Sequence, residues 1–268
     1  MKKIPFILNN NEKPTIAIIG FGRFGRLLAQ IFLQWSNANI LIVSRNKNHR
    51  SHRLLSFVNL QNIHSADLII PCVPISAFKE TIQQVALVAK NSAIVMDVCS
   101  VKVIPVQIMK SFLPKHIQII ASHPLFGPDS FRINNGLKNL RLVLQNVSTN
   151  RQEYIDITSF FIQLGIKVIT LSPKKHDQLL AWSLGYSFLV GKIGQKLKIK
   201  QTPIDTFDFT LLLQNVDIVR NDSEELFMDM QVFNPYAPQV HKKILKTLQT
   251  IVRSIKKRSV QFASIDAM

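Results

Sequence analysis

The strongest constraint in the sequence is a glycine-rich turn that directly follows an apolar run. Residues 15–20 read Thr-Ile-Ala-Ile-Ile-Gly, which has the length and the β-branching of a buried strand in a parallel sheet. Apolar residues then recur at helical spacing between Leu27 and Trp35. We therefore predict a strand, a tight turn and a helix in succession. The turn consists of Gly20, Phe21, Gly22, Arg23, Phe24 and Gly25.

This strand–turn–helix context predicts a dinucleotide-binding turn. Gly20 would permit the tight turn, Gly22 would let the backbone approach a pyrophosphate, and Gly25 would let helix and strand pack closely. The N-terminus of the helix offers free N–H donors and a partial positive charge to the phosphates. All six residues of the turn are therefore predicted to contact the cofactor. A purely structural glycine turn is the alternative interpretation.

The end of the second predicted strand discriminates between NAD and NADP. Many NAD binders have a carboxylate there, whereas this chain reads Val-Ser-Arg-Asn-Lys at residues 43–47. Ser44 can donate to a 2′-phosphate, Arg45 can pair with it and stack on the adenine, and Lys47 adds positive charge. We therefore predict NADP as the cofactor. The alternative is a solvated basic loop with NAD bound.

Strands and helices alternate over the first two thirds of the chain, and helices alone follow. The predicted strands are residues 15–20, 40–43, 66–73, 92–98, 117–121, 140–144 and 167–171. This alternation indicates an α/β Rossmann fold with a doubly wound, mainly parallel sheet over residues 1–172. The remaining residues, 173–268, show helical spacing at 175–199, 204–219, 224–233 and 237–258. They are predicted to form an all-helical second domain.

The chain carries a large excess of positive charge. It has 33 Lys and Arg against 16 Asp and Glu, which gives a formal net charge of +17. Nucleic-acid binding is one interpretation of such a charge, and a solvated basic surface is the other. The cations are scattered, and no zinc-finger spacing, RNA-binding aromatic motif or basic heptad accompanies them. We therefore do not expect nucleic acid as a partner.

The sequence predicts a cytoplasmic protein without membrane association. The segment before residue 15 lacks the apolar core and cleavage site of a signal peptide, and no apolar run has the length of a membrane helix. Cys72 and Cys99 are the only cysteines of the sequence. Two cysteines do not make a disulfide framework in a chain of this size, so both are expected as reduced, buried thiols.

Three further segments carry reactive side chains in a fixed order. They are Asp97-Val-Cys-Ser100-Val-Lys102, His123-Pro-Leu-Phe-Gly-Pro-Asp-Ser130 and His176-Asp177. Together with the glycine turn, these motifs resemble the prephenate and arogenate dehydrogenase family of tyrosine biosynthesis, over about residues 15 to 240. The chain looks most similar to the plant-type arogenate dehydrogenases, which are NADP enzymes. The resemblance implies a Rossmann domain followed by a helical dimerisation and substrate domain, and a homodimer.

The resemblance implies that His123 binds and deprotonates the reacting hydroxyl of the substrate. This residue follows the fifth predicted strand and so lies at the C-terminal edge of the sheet, where ligands bind in such folds. A neutral histidine is well suited to deprotonating a hydroxyl near pH 7. Ser100, after the fourth strand, would orient the histidine or bond the same hydroxyl. A helix cap is the alternative role for Ser100.

Further residues are assigned to cofactor and substrate by the same resemblance. The loop Cys72-Val73-Pro74 is expected beside the nicotinamide. Lys102 would position a carboxylate or the nicotinamide ribose. His176 is a substrate-binding candidate, with an interdomain structural pair with Asp177 as the alternative. Asp222 would pair with the side-chain ammonium of arogenate, and a helix N-cap is the alternative there.

The chain departs from the family pattern on the substrate side. Phe188 stands where a second histidine is common, and Leu211 or Leu212 falls near the place of a carboxylate-binding arginine. Candidate replacements for binding a carboxylate are Lys102, Lys192 and Arg220. No metal is expected, because no His or carboxylate pair with ligand spacing has a third partner.

The sequence therefore predicts an NAD(P)-dependent dehydrogenase acting on a small molecule. The reaction would be oxidative decarboxylation of prephenate to 4-hydroxyphenylpyruvate, or of arogenate to tyrosine. A related two-domain dehydrogenase for β-hydroxyacids or imines is a second hypothesis, but it would not require Ser100 and His123 together. A third hypothesis is a diverged NADP-binding protein without this turnover, acting as a sensor or on nucleic acid.

Overall fold

The computed structural model describes residues 3–8, 11–45 and 55–265. Its strands are β1 (Thr15–Ile19), β2 (Asn39–Val43), β3 (Leu55–Val58), β4 (Leu68–Pro71), β5 (Ile94–Met96), β6 (Gln118–Pro124), β7 (Arg141–Asn146) and β8 (Lys167–Ile169). The helices up to β8 are α1 (Arg23–Trp35), α2 (Ile75–Val88), α3 (Val103–Phe112), α4 (Pro128–Ile133) and α5 (Arg151–Gln163), with a 3-10 helix at Leu60–Ile63. After β8 follow α6 (Pro173–Trp182), α7 (Leu184–Lys196), α8 (Phe207–Arg220), α9 (Glu224–Val232) and α10 (Ala237–Ile265).

All the strands belong to one sheet in the order β3-β2-β1-β4-β5-β6-β7-β8. Neighbouring strands are parallel except for β6 and β7. The chain runs outward from β1 to β3 and then returns to β4 on the other side of β1. The carboxyl ends of β1 and β4 therefore border the crevice at which doubly wound sheets bind ligands. The predicted Rossmann fold with a mainly parallel sheet is confirmed.

Some elements differ from the sequence prediction. The strand β3 and the helix α4 are not predicted, because they are only four and six residues long and lack a clear periodic pattern. The strand β7 is antiparallel to β6, whereas the alternation of strands and helices alone favours a parallel pair. The N–H of Leu125 donates to the carbonyl of Arg141 at 2.9 Å. The chain therefore re-enters the sheet at the edge where β6 ends, which makes the pair antiparallel.

Apolar side chains cover both faces of the sheet. In β1, Ile16 and Ile18 pack on the face covered by α1 and α5, whereas Ala17 and Ile19 pack on the face covered by α2 and α3. Successive strand residues point to opposite faces. Burial on both faces explains why this strand reads as a continuous apolar run instead of an alternating one.

The described residues after β8 form the helices α6 to α10, joined by loops, and contain no strand. Helices α7 and α8 approach closely, because Gly191 and Gly194 have no side chain at the contact. A Cβ on Gly191 would lie 2.6 Å from Cγ2 of Val219, and one on Gly194 would lie 2.5 Å from Cγ2 of Val216. The all-helical character agrees with the sequence prediction, and the division of the chain at residue 172 stays a prediction.

Helix α10 is the longest helix of the described chain, at 29 residues. Almost all of its side chains between Lys242 and Ser259 are exposed. Neither this helix nor another within residues 3–8, 11–45 and 55–265 combines the length and apolarity needed to span a bilayer.

Carboxylates of the helical part cap helices of the sheet part. Asp229 in α9 accepts hydrogen bonds from the backbone N–H groups of Ile75 and Ser76 at 2.7 and 3.2 Å. These groups belong to the first turn of α2, where backbone donors have no partner within the helix. A negative charge at that end also interacts favourably with the helix dipole. The two parts of the chain are thus joined through the N-terminus of a helix.

Replacement of Asp229 by alanine is expected to destabilise the protein. It leaves the buried N–H of Ile75 without an acceptor, which costs about 1–3 kcal/mol in free energy of unfolding. Urea denaturation monitored by circular dichroism measures this loss. Glu225→Ala is the matched control, because that carboxylate accepts only from the exposed hydroxyl of Ser76 at 3.3 Å. Its effect should stay within about 0.5 kcal/mol, and equal losses in the two variants would contradict the capping role.

Candidate active site

The glycine turn has the geometry that its sequence requires. Gly20 has a φ of +102°, which is the left-handed region that side chains disfavour. A Cβ on Gly20 would collide with the carbonyl oxygen of Cys72, and one on Gly25 would collide with the carbonyl oxygen of Gly20. A Cβ on Gly22, in contrast, would meet nothing within 4 Å. The turn is therefore closed on its inner side and open at Gly22.

This open side fits the diphosphate of a dinucleotide. Gly22 is the N-cap of α1 and has no side chain with which to cap the helix, and the first turn of α1 contains no acidic residue. The ring of Phe21 packs edge-on against Phe57 at 5.3 Å, and Phe24 lies 6.5 Å from Phe126. Because these rings pack against the protein, the backbone N–H groups of the turn can donate hydrogen bonds to a bound anion.

The loop Cys72-Val73-Pro74 lies directly beside the glycine turn. The N–H of Cys72 donates to the carbonyl of Ile19 at 2.7 Å, and Pro74 is the N-cap of α2. The location agrees with a loop that borders the cofactor crevice, although its contact with nicotinamide stays a prediction. Cys72 and Cys99 are both free thiols; Cys99 is buried as expected, whereas Cys72 is only half-buried. Burial raises the pKa of each thiol, which keeps both protonated.

The basic segment after β2 follows the same edge of the sheet. The N–H of Gly20 donates to the carbonyl of Val43 at 2.8 Å, which holds the end of β2 against the glycine turn. Ser44 is half-buried at this end, and Arg45 is exposed. Their contact with a 2′-phosphate stays a prediction. Lys47 lies outside the described residues.

A buried ion pair joins the ends of β5 and β6. The ammonium of Lys102 bonds to the carboxylate of Asp97 and to the carbonyl of Ser122, and the Lys102 side chain is 2% exposed. Asp97 also accepts from the N–H groups of Cys99 and Ser122, both at 3.1 Å. The geometry thus gives Lys102 a structural role, and its contact with substrate or ribose stays a prediction. These two acceptors engage two of the three N–H donors of the ammonium.

Ser100 lies in the loop between β5 and α3, at the same sheet edge, and is partly exposed. Ser100 does not cap helix α3, which was its alternative role. The N–H groups of Lys102 and Val103 at the start of α3 donate to the carboxylate of Asp177, at 2.7 and 2.8 Å. Ser100 therefore stays a candidate for contact with substrate.

His123 lies at the carboxyl end of β6 and forms a hydrogen-bonded chain with two residues of α6. Its Nδ1 is 2.9 Å from Nε2 of His176, and Nδ1 of His176 is 2.7 Å from Oδ1 of Asp177. All three side chains are buried. His176 therefore lies between the catalytic candidate His123 and Asp177 and is hydrogen-bonded to both. The interdomain pair with Asp177, which was the alternative interpretation of His176, is present.

The hydrogen bonds of this chain determine which nitrogen of His123 can act as a base. Asp177 accepts from two backbone N–H groups, so its carboxylate is an acceptor and Nδ1 of His176 carries a proton. When His176 is uncharged, its Nε2 therefore accepts a hydrogen bond from Nδ1–H of His123. The lone pair of His123 is consequently on Nε2.

The electrostatic surroundings keep His123 neutral. Burial lowers its pKa well below the usual value of 6.5, and His176 and the charge of Lys102 lower it further. An uncharged imidazole in this position can accept a proton from a hydroxyl at neutral and mildly acidic pH.

Asp222 lies between α8 and α9 and is engaged with the glycine turn. Its Oδ1 is 3.6 Å from Nη1 of Arg23. Burial raises the pKa of Asp222, and the positive charge of Arg23 opposes this effect. The helix cap proposed as an alternative is provided by Ser223, whose hydroxyl accepts from the N–H of Leu226 at 3.1 Å. Asp222 is therefore a charged group at the junction of the two parts and not a cap.

The other substrate-side candidates are held in different ways. Lys192 pairs with Glu224 at 2.6 Å, and Arg220 pairs with Asp217 at 3.0 Å on the surface of α8. Phe188 packs in a buried apolar cluster with Val219. Neither of the two candidates Lys192 and Arg220, nor Phe188, contacts His123 in the hydrogen bonds, ion pairs and ring contacts of the described residues.

Two residues at this site are not predicted from the sequence. Asp129, in the first turn of α4, pairs with Nη2 of Arg23 at 2.6 Å. The backbone carbonyl of Asn221 accepts from Nη1 of Arg23 at 2.7 Å. Asp129 lies within the His-Pro motif, so the motif could have identified it as a site residue. Its partner Arg23 is more than a hundred residues away in the chain, and no sequence pattern connects the two.

The chain matches two family models. The model described as "Prephenate dehydrogenase, nucleotide-binding domain" matches residues 37–170, and the model described as "TYRAAT1-like, C-terminal domain" matches residues 193–264. The first match begins after the glycine turn, so the assignment of that turn depends on its own geometry.

Curated relatives carry related names. The chain is 28% identical over 244 residues to arogenate dehydrogenase 1 (chloroplastic) of Arabidopsis thaliana, with 86% of this chain and 37% of that protein aligned. It is 26% identical over 268 residues to a probable arogenate/prephenate dehydrogenase of Methanocaldococcus jannaschii, with 92% of this chain and 58% of that protein aligned. The chain therefore spans only about a third to three fifths of the length of these two relatives.

Solved structures share the fold. The prephenate dehydrogenase of Aquifex aeolicus in complex with hydroxyphenyl propionate and NAD+ superposes with a TM-score of 0.68 at 17% identity, covering 94% of this chain and 95% of that one. The arogenate dehydrogenase of Synechocystis superposes with a TM-score of 0.61 at 22% identity, covering 90% and 93%. At these identities the likeness concerns the fold alone. Since the nucleotide-binding family model covers half of the chain, the chain belongs to the prephenate dehydrogenase family.

Proposed function

We propose that this protein is an NAD(P)-dependent dehydrogenase that oxidatively decarboxylates prephenate or arogenate in tyrosine biosynthesis. The observation that carries the proposal is the series of hydrogen bonds from His123 through His176 to Asp177, beside a dinucleotide-type glycine turn. A neutral, oriented base and a hydride acceptor at one sheet edge are the two parts that oxidation of a cyclohexadienol requires. The names of the relatives support the same substrates.

The base in this reaction is Nε2 of His123. It accepts the proton of the substrate hydroxyl while the ring carbon that bears this hydroxyl loses a hydride. A nicotinamide held at the glycine turn would supply the acceptor for that hydride. The bond to the ring carboxylate then breaks, carbon dioxide leaves, and its electron pair completes an aromatic ring. Ser100, on the neighbouring loop, orients the hydroxyl towards His123.

The cofactor proposed is NADP. The support is chemical: the end of β2 has Ser44 and Arg45 and lacks the carboxylate that commonly binds the ribose hydroxyls of NAD. An exposed guanidinium at this place can pair with a 2′-phosphate and stack on adenine. Lys47 is assigned to the same group by its sequence position. The residues of the loop 72–74 are assigned to the nicotinamide side.

On the substrate side we propose Asp222 as the partner of a substrate ammonium. Its carboxylate is already paired with a guanidinium, so its surroundings are suited to a cation. An ammonium is present in arogenate and absent in prephenate, which makes arogenate the better match. The role of His176 in this proposal is to position His123, because a buried ring between His123 and Asp177 has both nitrogens engaged.

The first test is turnover with all four combinations of prephenate or arogenate and NAD or NADP. We expect reduction of NADP with at least one of the two compounds. The absorbance of the reduced nicotinamide measures this reaction. His123→Asn should lower kcat/KM by about 10²- to 10⁴-fold, since a positioned general base contributes this much. His116→Asn, on an exposed loop before β6, should leave the rate unchanged.

Absence of turnover in all four combinations would contradict the proposed reaction. A fully active His123→Asn variant would leave the reaction in place and remove His123 as its base. A preference for NAD over NADP would contradict only the cofactor assignment at Ser44 and Arg45.

The second test concerns the pH dependence that His176 imposes. Only neutral His123 accepts a proton, and its pKa is lowered, so kcat/KM should stay constant as the pH falls through 6.5 and decline only below it. In His176→Gln the buried neighbour that lowers this pKa is removed, so the acid limb should move to higher pH. His64→Gln, at an exposed site, is the control. An unchanged acid limb in His176→Gln would exclude the positioning role.

We further propose that the protein is a homodimer formed through its helical part. Four residues at helical spacing make an exposed apolar face on α10: Leu245, Leu248, Val252 and Ile255. On the opposite face of the helix are cations, at Lys242, Lys246, Arg253 and Lys257. An apolar face of this kind on a soluble surface is typical of an interface. The cations on the other face can then stay in water.

The dimer is tested with a charge on this face. The wild-type protein should have the mass of a dimer in size-exclusion chromatography with light scattering, and Leu248→Asp should have the mass of a monomer. The side chain of Leu248 is 55% exposed, so its replacement should not disturb the fold. The matched control is Leu87→Asp, a leucine 85% exposed on α2, which should remain dimeric. A monomeric wild-type protein would overturn the proposal.

A further inference from the structure

The side chain of Arg23 joins three separate segments at the mouth of the glycine turn. Its Nη2 lies 2.6 Å from Oδ2 of Asp129 in α4, and its Nη1 lies 2.7 Å from the carbonyl oxygen of Asn221 and 3.6 Å from Oδ1 of Asp222. We call these contacts the Arg23 clasp. It connects the first residue of α1 with the His-Pro motif and with the junction between α8 and α9.

The clasp lies at the N-terminus of α1, directly after the open position of the glycine turn. Arg23 follows Gly22, the residue at which the turn is open, and its own N–H belongs to the helix N-terminus that would face a diphosphate. Two carboxylates lie within 4 Å of its guanidinium, at the side of the site where a dianion would bind. These carboxylates engage the guanidinium donors that a bound diphosphate would need.

The clasp is also open to exchange. The side chain of Arg23 is 49% exposed, and exposed ion pairs contribute little to stability. A guanidinium binds phosphate groups through two parallel hydrogen bonds, as it binds carboxylates. A diphosphate beside Gly22 would therefore compete with the two carboxylates for the same donors.

The carboxylates would not be left without a cation after such an exchange. Asp129 has Nη2 of Arg132 at 4.0 Å. The charge of Lys192 already acts on Asp222 and lowers its pKa against the effect of burial. Each acid thus has a second positive group within range.

We propose that Arg23 changes partners when the dinucleotide binds: its guanidinium leaves Asp129 and Asp222 and binds the diphosphate. This inference rests on the dinucleotide site of the proposed function. Asp129 then acts as a competitor that weakens dinucleotide binding, and the clasp holds the two parts of the chain together in the free protein. The release of Asp222 leaves its carboxylate open to a cationic group.

The experiment measures binding and not turnover. Dissociation constants are determined by calorimetry for NADP+, for ADP-ribose, which has the diphosphate but no nicotinamide, and for 2′-AMP, which lacks the diphosphate. Asp129→Asn should bind NADP+ and ADP-ribose about three- to five-fold more tightly, because one competing charge is removed. Arg23→Gln should bind both about ten-fold more weakly, as expected for loss of a charged hydrogen bond. Neither variant should change the affinity for 2′-AMP.

The double variant separates exchange from general repulsion. In the Arg23→Gln background, Asp129→Asn should have no further effect on ADP-ribose binding, because the competed group is absent. Glu224→Gln is the matched control: its carboxylate lies at the same edge of the helical part but pairs with Lys192. It should leave all three affinities unchanged.

The inference is overturned if Asp129→Asn does not tighten ADP-ribose binding, or if the gain persists without Arg23 or extends to 2′-AMP. These outcomes are distinct from a failure of the proposed function. A wild-type protein that turns over substrate while Asp129→Asn shows no gain contradicts the exchange alone. A protein that shows the gain but no turnover contradicts the reaction alone, and one that binds no dinucleotide contradicts both.

Discussion

The carboxylate of Asp177 is the contact on which most of the site depends. It lies in the first turns of α6, in the helical part, and it caps α3 of the sheet part through two backbone N–H groups. The same carboxylate orients His176, which in turn bonds to His123. One buried acid therefore performs a structural and a chemical task. The structure of the interface between the two parts and the protonation of the base are consequently linked.

A second buried charge acts on the same histidine from the other side. Lys102 is paired with Asp97 and bonded to the carbonyl of Ser122, which immediately precedes His123. This arrangement fixes the ends of β5 and β6 relative to each other. It also keeps a positive charge near His123, which favours the neutral imidazole. Lys102, which the sequence suggested for substrate binding, thus acts electrostatically on the proposed base.

The site belongs to both parts of the chain. Sheet elements provide the glycine turn, Ser100 and His123, while the helical part provides His176, Asp177 and Asp222. The contacts between the parts include ionic and capping contacts, as at Asp229 and Arg23, beside apolar packing of Leu180. Such contacts are directional and partly exposed, so they can hold a cleft in one arrangement and still be exchanged for contacts with a charged ligand.

The sequence by itself determined the fold class, the family and the catalytic candidate. These features depend on local patterns: glycine spacing at residues 20–25, the alternation of strands and helices, and the order of the motifs around Ser100 and His123. The tertiary structure decided which charged groups meet. Arg23 with Asp129 and Asp229 with the start of α2 could not be derived, because no local pattern identifies a partner that lies more than a hundred residues away. Lys102 and Asp97 belong to one motif, but the folded path between β5 and α3 decides that their side chains pair. Short elements such as β3, and the antiparallel entry of β7, were also decided by tertiary contacts, since four residues carry too little periodicity and strand direction depends on where the chain re-enters the sheet.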